Sequence, residues 1–116
     1  MNSPIVELIA RAALCNWLVC LALWMAARTT NDTAKAIVIF WCLFAFIASG
    51  FEHSVANMTL LSIALLGEHP DTVSLAGMGH NLLWVTLGNI IGGSVFMALG
   101  YWLASAEPRV KVRSEI

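Results

Sequence analysis

Three long apolar runs, parted by short polar turns, set the pattern of this chain. The first runs from Ile5 to Ala27, with Asn16 halfway along and Arg28 at its end. Ser3 can cap it, and Pro4 suits its first helical position. Asn31, Asp32 and Thr33 form a polar turn, and any of them can cap the next helix. So short a turn makes the first two helices antiparallel neighbours. The second run extends from about Ala34 to Leu66, and Gly67–Asp71 is a turn by composition. Val73–His80, which contains glycine, is expected as a short surface helix. The third run covers about Asn81 to Ala104, and a charged tail occupies 105–116.

The second run is the informative one. A helix through residues 36–66 would be about 46 Å long, against a bilayer hydrocarbon thickness of roughly 30 Å. Its middle reads Gly50-Phe51-Glu52-His53-Ser54-Val55-Ala56-Asn57-Met58. Gly50 has the lowest helix propensity short of proline, and Ser54 or Asn57 can cap a restarted helix. A break near 50–54 is therefore expected, with Glu52 and His53 close to the bilayer midplane.

Composition agrees with a membrane protein: of 116 residues, 59% are hydrophobic and 11% charged, too few charges to cover a soluble domain. Charges also cluster. Residues 72–106 carry none, and between Lys35 and Glu68 the sole Asp, Glu, Lys or Arg is Glu52. The expected class is an all-α integral membrane protein with three transmembrane spans (about 5–27, 34–66 and 81–104) and a broken middle helix. Glu7 and Arg11 precede a first apolar run without a small-x-small site, so it reads as a span and not a cleavable leader. Arg28 and Lys35 flank one turn and Arg109, Lys111 and Arg113 lie in the tail, while the other turn has no Lys or Arg. This bias places the C-terminus in the cytoplasm. No basic stripe suggests nucleic acid. Cys15, Cys20 and Cys42 lie in apolar runs at spacings poor for ligating metal, and read as small buried hydrophobes.

An ionisable residue at the midplane is costly and usually serves function. His53, with an ordinary imidazole pKa of about 6.5, gains and loses a proton near neutrality. The restarted helix points its positive end at the same level, a favourable place for an anion. A histidine there can hold a small monovalent anion and hand it a proton, and the neutral acid crosses apolar constrictions more cheaply than the anion. Glu52 would repel such an anion and suits pinning the backbone or orienting the imidazole. Asn16, Asn57 and Asn89 lie near mid-span of three helical pieces and could join His53 in one polar cluster, or serve as packing glue. A haem between His53 and His80 needs matched depths, which the pattern denies; no cofactor and no metal are expected. Gly88 and Gly92 form a small-xxx-small face for close helix contact. No nucleophile–base pair appears, so no enzyme is expected.

Cys15-Asn16-Trp17-Leu18-Val19-Cys20, the Gly50–Met58 stretch and Gly88-Asn89-Ile90-Ile91-Gly92-Gly93 occur in the order and spacing of a known family. The chain resembles the formate/nitrite transporter family, and Gly79–Leu87 resembles its nitrite-carrying branch. The resemblance covers nearly the whole chain and corresponds to the C-terminal half, spans four to six, of an aquaporin-like inverted repeat. It implies a bacterial inner-membrane protein that carries nitrite or a similar small anion, such as formate, as a pentamer. His53 would be the central proton relay, Asn16, Glu52, Asn57 and Asn89 its polar surroundings, and Val19 and Phe46 apolar constrictions. Half of such a repeat cannot enclose the pore, which forms between halves. Expected partners are therefore the bilayer, the anion, and further copies or an N-terminal transporter half. The alternative is a truncated or accessory three-span membrane protein that does not conduct alone and pairs with another transporter half.

Overall fold

Five helical pieces and one π-helical stretch make up the computed structural model, which describes residues 3–105. Helix α1 covers Ile5–Ala27. Pro4, expected at the first helical position, takes the N-cap itself, and its carbonyl accepts from Leu8 N–H at 3.0 Å. After Arg28 the chain turns, and Asn31, one of three expected caps, opens α2 (Asp32–Ala48) by accepting from Ala34 N–H at 3.0 Å.

Helix α2 stops at a Schellman motif. Gly50, at φ +65°, takes the left-handed conformation that costs other residues about 1–2 kcal/mol. Gly50 N–H then donates to Ile47 O and Phe51 N–H to Phe46 O, each at 3.1 Å, closing carbonyls the helix end would leave open. Phe51, Glu52 and His53 lie outside any helix, and α3 (Ser54–Leu66) begins next. The break thus falls where the glycine predicts. The capping does not: Ser54 is the first helical residue and Asn57 lies within the first turns, so neither caps α3, and His53 occupies the N-cap without a side-chain cap bond.

The expected surface helix at Val73–His80 does not exist as a separate element. Ser74 caps α4 (Leu75–Ile91), its Oγ accepting from Gly77 N–H at 3.1 Å, so the helix begins before Asn81. It continues through a π-helical stretch, Gly92–Leu99, into α5 (Gly100–Ser105), giving one 31-residue rod, Leu75–Ser105. The tail expected at 105–116 lies, apart from Ser105, outside the described residues.

Two rods, Ile5–Ala27 and Leu75–Ser105, are long and apolar enough to cross a membrane. At 1.5 Å per residue, α2 reaches about 26 Å and α3 about 20 Å, each short of a bilayer alone. Helix α1 packs against α4, the π stretch and α2, while α3 rests on α4. The contact of α1 with α4 is made by small residues. A Cβ on Gly88 would lie 2.6 Å from both Ala12 Cβ and Ile9 O, and one on Gly92 would strike the Ala13 carbonyl. Leu8, Ala12 and Val85 form the tightly buried core of this seam, with Trp84 against it. Most other large apolar side chains face outward, Val6 at 80% and Leu66 at 89% exposure, as suits lipid or further helices in place of water.

Candidate functional site

Asn89 holds the break in place. It lies on the face of α4 that also buries Gly77, Asn81, Val85 and Gly88, the spacing of one helical stripe. Its Oδ1 accepts from both Ser54 N–H (2.9 Å) and Ser54 Oγ–H (3.0 Å). Its Nδ2 donates to Ala12 O (2.9 Å) and Glu52 O (3.1 Å). The amide's two donors and two acceptor positions are all used, which fixes its orientation. A side chain from α4 therefore performs the cap that α3 lacks from its own sequence, and ties the extended segment to α1. Asn89 is 6% exposed, so losing any of these bonds would strand a buried polar group.

Asn16 joins the same junction from α1. Its Nδ2 donates to the Asn89 carbonyl at 2.7 Å, where α4 passes into the π stretch. Gly93 makes room for it: a Cβ there would sit 2.8 Å from Asn16 Nδ2. A second branch anchors Glu52. Its carboxylate accepts a short hydrogen bond from Asn57 Nδ2, which also donates to Asn81 Oδ1 at 2.9 Å. Because a carboxylate only accepts, the Asn57 amide must turn its nitrogen toward Glu52.

His53 stands at the edge of this network: its carbonyl accepts from Asn57 N–H at 2.8 Å, while its ring makes no hydrogen bond among the described residues. Its half-buried ring lies 6.3 Å, centroid to centroid, from that of Phe46. Both line a groove of about 360 Å³ with Phe51, Ala56, Asn57 and Leu60, at the positive end of α3. Four of the residues singled out from the sequence, Asn16, Glu52, Asn57 and Asn89, thus meet in one hydrogen-bonded junction. His53 and Phe46 share the adjoining groove. Val19 is half-buried on α1 and lines neither.

Two members were not anticipated. Asn81, 4% exposed, accepts from Asn57; its place eight residues before Asn89 and four before Val85 puts it on the same buried stripe, a signal present in the sequence. Ser54 acts as a donor to Asn89 and not as a cap. Among the described residues no three His, Cys, Asp or Glu side chains group to hold a metal ion. The junction can position one titratable imidazole beside a groove, on a backbone that the asparagines keep rigid.

The formate/nitrite transporter model matches residues 1–103. The nitrite transporter NirC of Salmonella typhimurium is 63% identical over 106 residues, which are 91% of this chain and 39% of that protein. The formate channel FocA of Escherichia coli is 33% identical over 120 residues, covering 89% and 42% of the two chains. A solved structure described as an FNT family ion channel superposes with a TM-score of 0.87 at 62% identity, covering 90% of this chain and 41% of that one.

Proposed function

Since the chain belongs to the formate/nitrite transporter family, we propose that it carries a small monovalent anion, nitrite in the first place, across a bacterial inner membrane. In this reading α2, the break and α3 form one interrupted middle span, giving three spans with the C-terminus cytoplasmic. They form one half of an aquaporin-like inverted repeat. His53 hands a proton to the anion, which then passes the apolar constrictions at Phe46 and Val19 as a neutral acid. The observation that carries the reading is His53 itself: a titratable ring lining a groove at the start of α3, unbonded, on a backbone held by Asn89. Asn16, Glu52, Asn57 and Asn89 keep the relay in place without engaging its nitrogens.

The chain spans 39% of the length of the NirC relative. A pore that forms between two halves of an inverted repeat needs complementary spans, from further copies in a pentamer or from an N-terminal half. A second reading is an accessory protein that does not conduct alone. Uptake of nitrite into proteoliposomes, by this chain with and without an N-terminal half, separates them. Transport should require the complementary half and should fall as pH rises through the imidazole range, because the relay donates only when protonated. His53→Leu should abolish the pH dependence. Uptake that His53→Leu leaves unchanged would sink the relay, and absence of uptake in every combination would leave the accessory reading.

A further inference from the structure

A second groove lies away from His53. It is a groove of about 660 Å³ between the C-terminal half of α1 and the π stretch and α5, lined by Cys20, Leu23, Trp24, Met97, Tyr101 and Trp102 among others. Its lining is almost wholly apolar, and Trp24 and Tyr101, two of its lining residues, pack against each other beside Arg28. There the Trp24 and Tyr101 rings lie 4.6 Å apart, and the Arg28 guanidinium sits 5.3 Å over the Trp24 ring. Arg28 is exposed, and no carboxylate pairs with it among the described residues. An apolar trough ending in an aromatic girdle and an unpaired cation has the polarity of a phospholipid, tail to head.

We propose that this groove binds one acyl chain of an anionic phospholipid, with the lipid phosphate on Arg28. The cation–π attraction keeps the guanidinium beside the Trp24 ring, and a guanidinium can grip a phosphate through two parallel bonds. Charge complementarity selects the occupant: a packed protein helix would bury Arg28 without a counter-charge, whereas a lipid headgroup brings one.

Native mass spectrometry of the purified full chain, titrated with phosphatidylglycerol or phosphatidylcholine of identical acyl chains, tests this without reference to transport. Phosphatidylglycerol should be retained several-fold more than phosphatidylcholine. Arg28→Gln should bring the two to the same level, leaving phosphatidylcholine unchanged. Ala98→Trp, which fills an exposed part of the groove wall, should lower retention of both, with helicity by circular dichroism confirming the fold. Equal retention of the two lipids by the unaltered chain would overturn the proposal. So would full retention in Ala98→Trp, or displacement of the lipid when an N-terminal half or a second copy binds.

Discussion

Two apolar segments of this molecule are interrupted, and by opposite means. Between α2 and α3 the helix ends outright: Gly50 turns the chain, and Phe51–His53 run extended before Ser54 restarts it. Between α4 and α5 the helix never ends; it widens into the π stretch of Gly92–Leu99. Asn89 serves both. Its side chain caps the first interruption, and its carbonyl, bonded by Asn16, marks the start of the second. An open break exposes backbone groups and a titratable ring to a groove; a π stretch keeps its backbone satisfied and offers only a change of face. The first suits a site for chemistry and the second suits close packing.

Asn89→Leu should damage both interruptions and have the largest effect. It removes four side-chain hydrogen bonds and strands the Ser54 N–H and the Glu52 carbonyl, while the Ala12 carbonyl keeps its bond within α1. A loss of about 2–6 kcal/mol, at 1–3 kcal/mol for each stranded group, should appear in unfolding from detergent micelles. Gly92→Ala tests the seam beneath the π stretch, since its Cβ would strike Ala13. About 2–3 kcal/mol of overpacking should follow, and a neutral result would show that the seam is looser than described. Gly93→Ala pushes chiefly on the Asn16 amide, with Cys20 Sγ at 3.4 Å, and should cost about 1–2 kcal/mol. Asn16→Ala in the same chain should recover part of it, a coupling that a double-mutant cycle reads. Gly50→Ala meets no atom within 4 Å, so its cost of about 1 kcal/mol should be purely that of the left-handed backbone. Gly100→Ala, equally open and within a helix, should stabilise by about 0.5 kcal/mol. If the two open glycines behaved alike, the backbone account of the break would be wrong.

Much of this was legible in the sequence, for local reasons. Gly50 within a run too long for one span announces the break, and Gly88 with Gly92 announces close packing, though not that α1 is the partner. The capping of α3 was not legible. A residue 35 positions away supplies it, and Ser54, which looks like a cap, is its client. The start of α4 was obscured because Gly77 and Gly79 lower its helix propensity, while burial of Gly77 and the Ser74 cap override that preference. The π stretch left no signature, since Gly92-Gly93 reads equally well as a packing surface. Asn16, Asn57 and Asn89 stood out as amides at mid-span. Asn81 does not, because the hydropathy pattern sets it at the beginning of the third span, where an amide is unremarkable.

The π stretch also bears on how the chain tolerates change in length. A π turn accommodates more residues than an α turn, so this part of the rod carries surplus chain between two fixed points, Asn89 at the junction and Tyr101 against Trp24. Losing a single residue between them lets the segment relax toward ordinary α-helix with both anchors keeping their partners. Losing one between Ser74 and Asn89, where no surplus exists, would rotate Asn81 and Val85 out of register with the asparagine below. The two ends of one continuous helix therefore differ sharply in what deletions they can absorb.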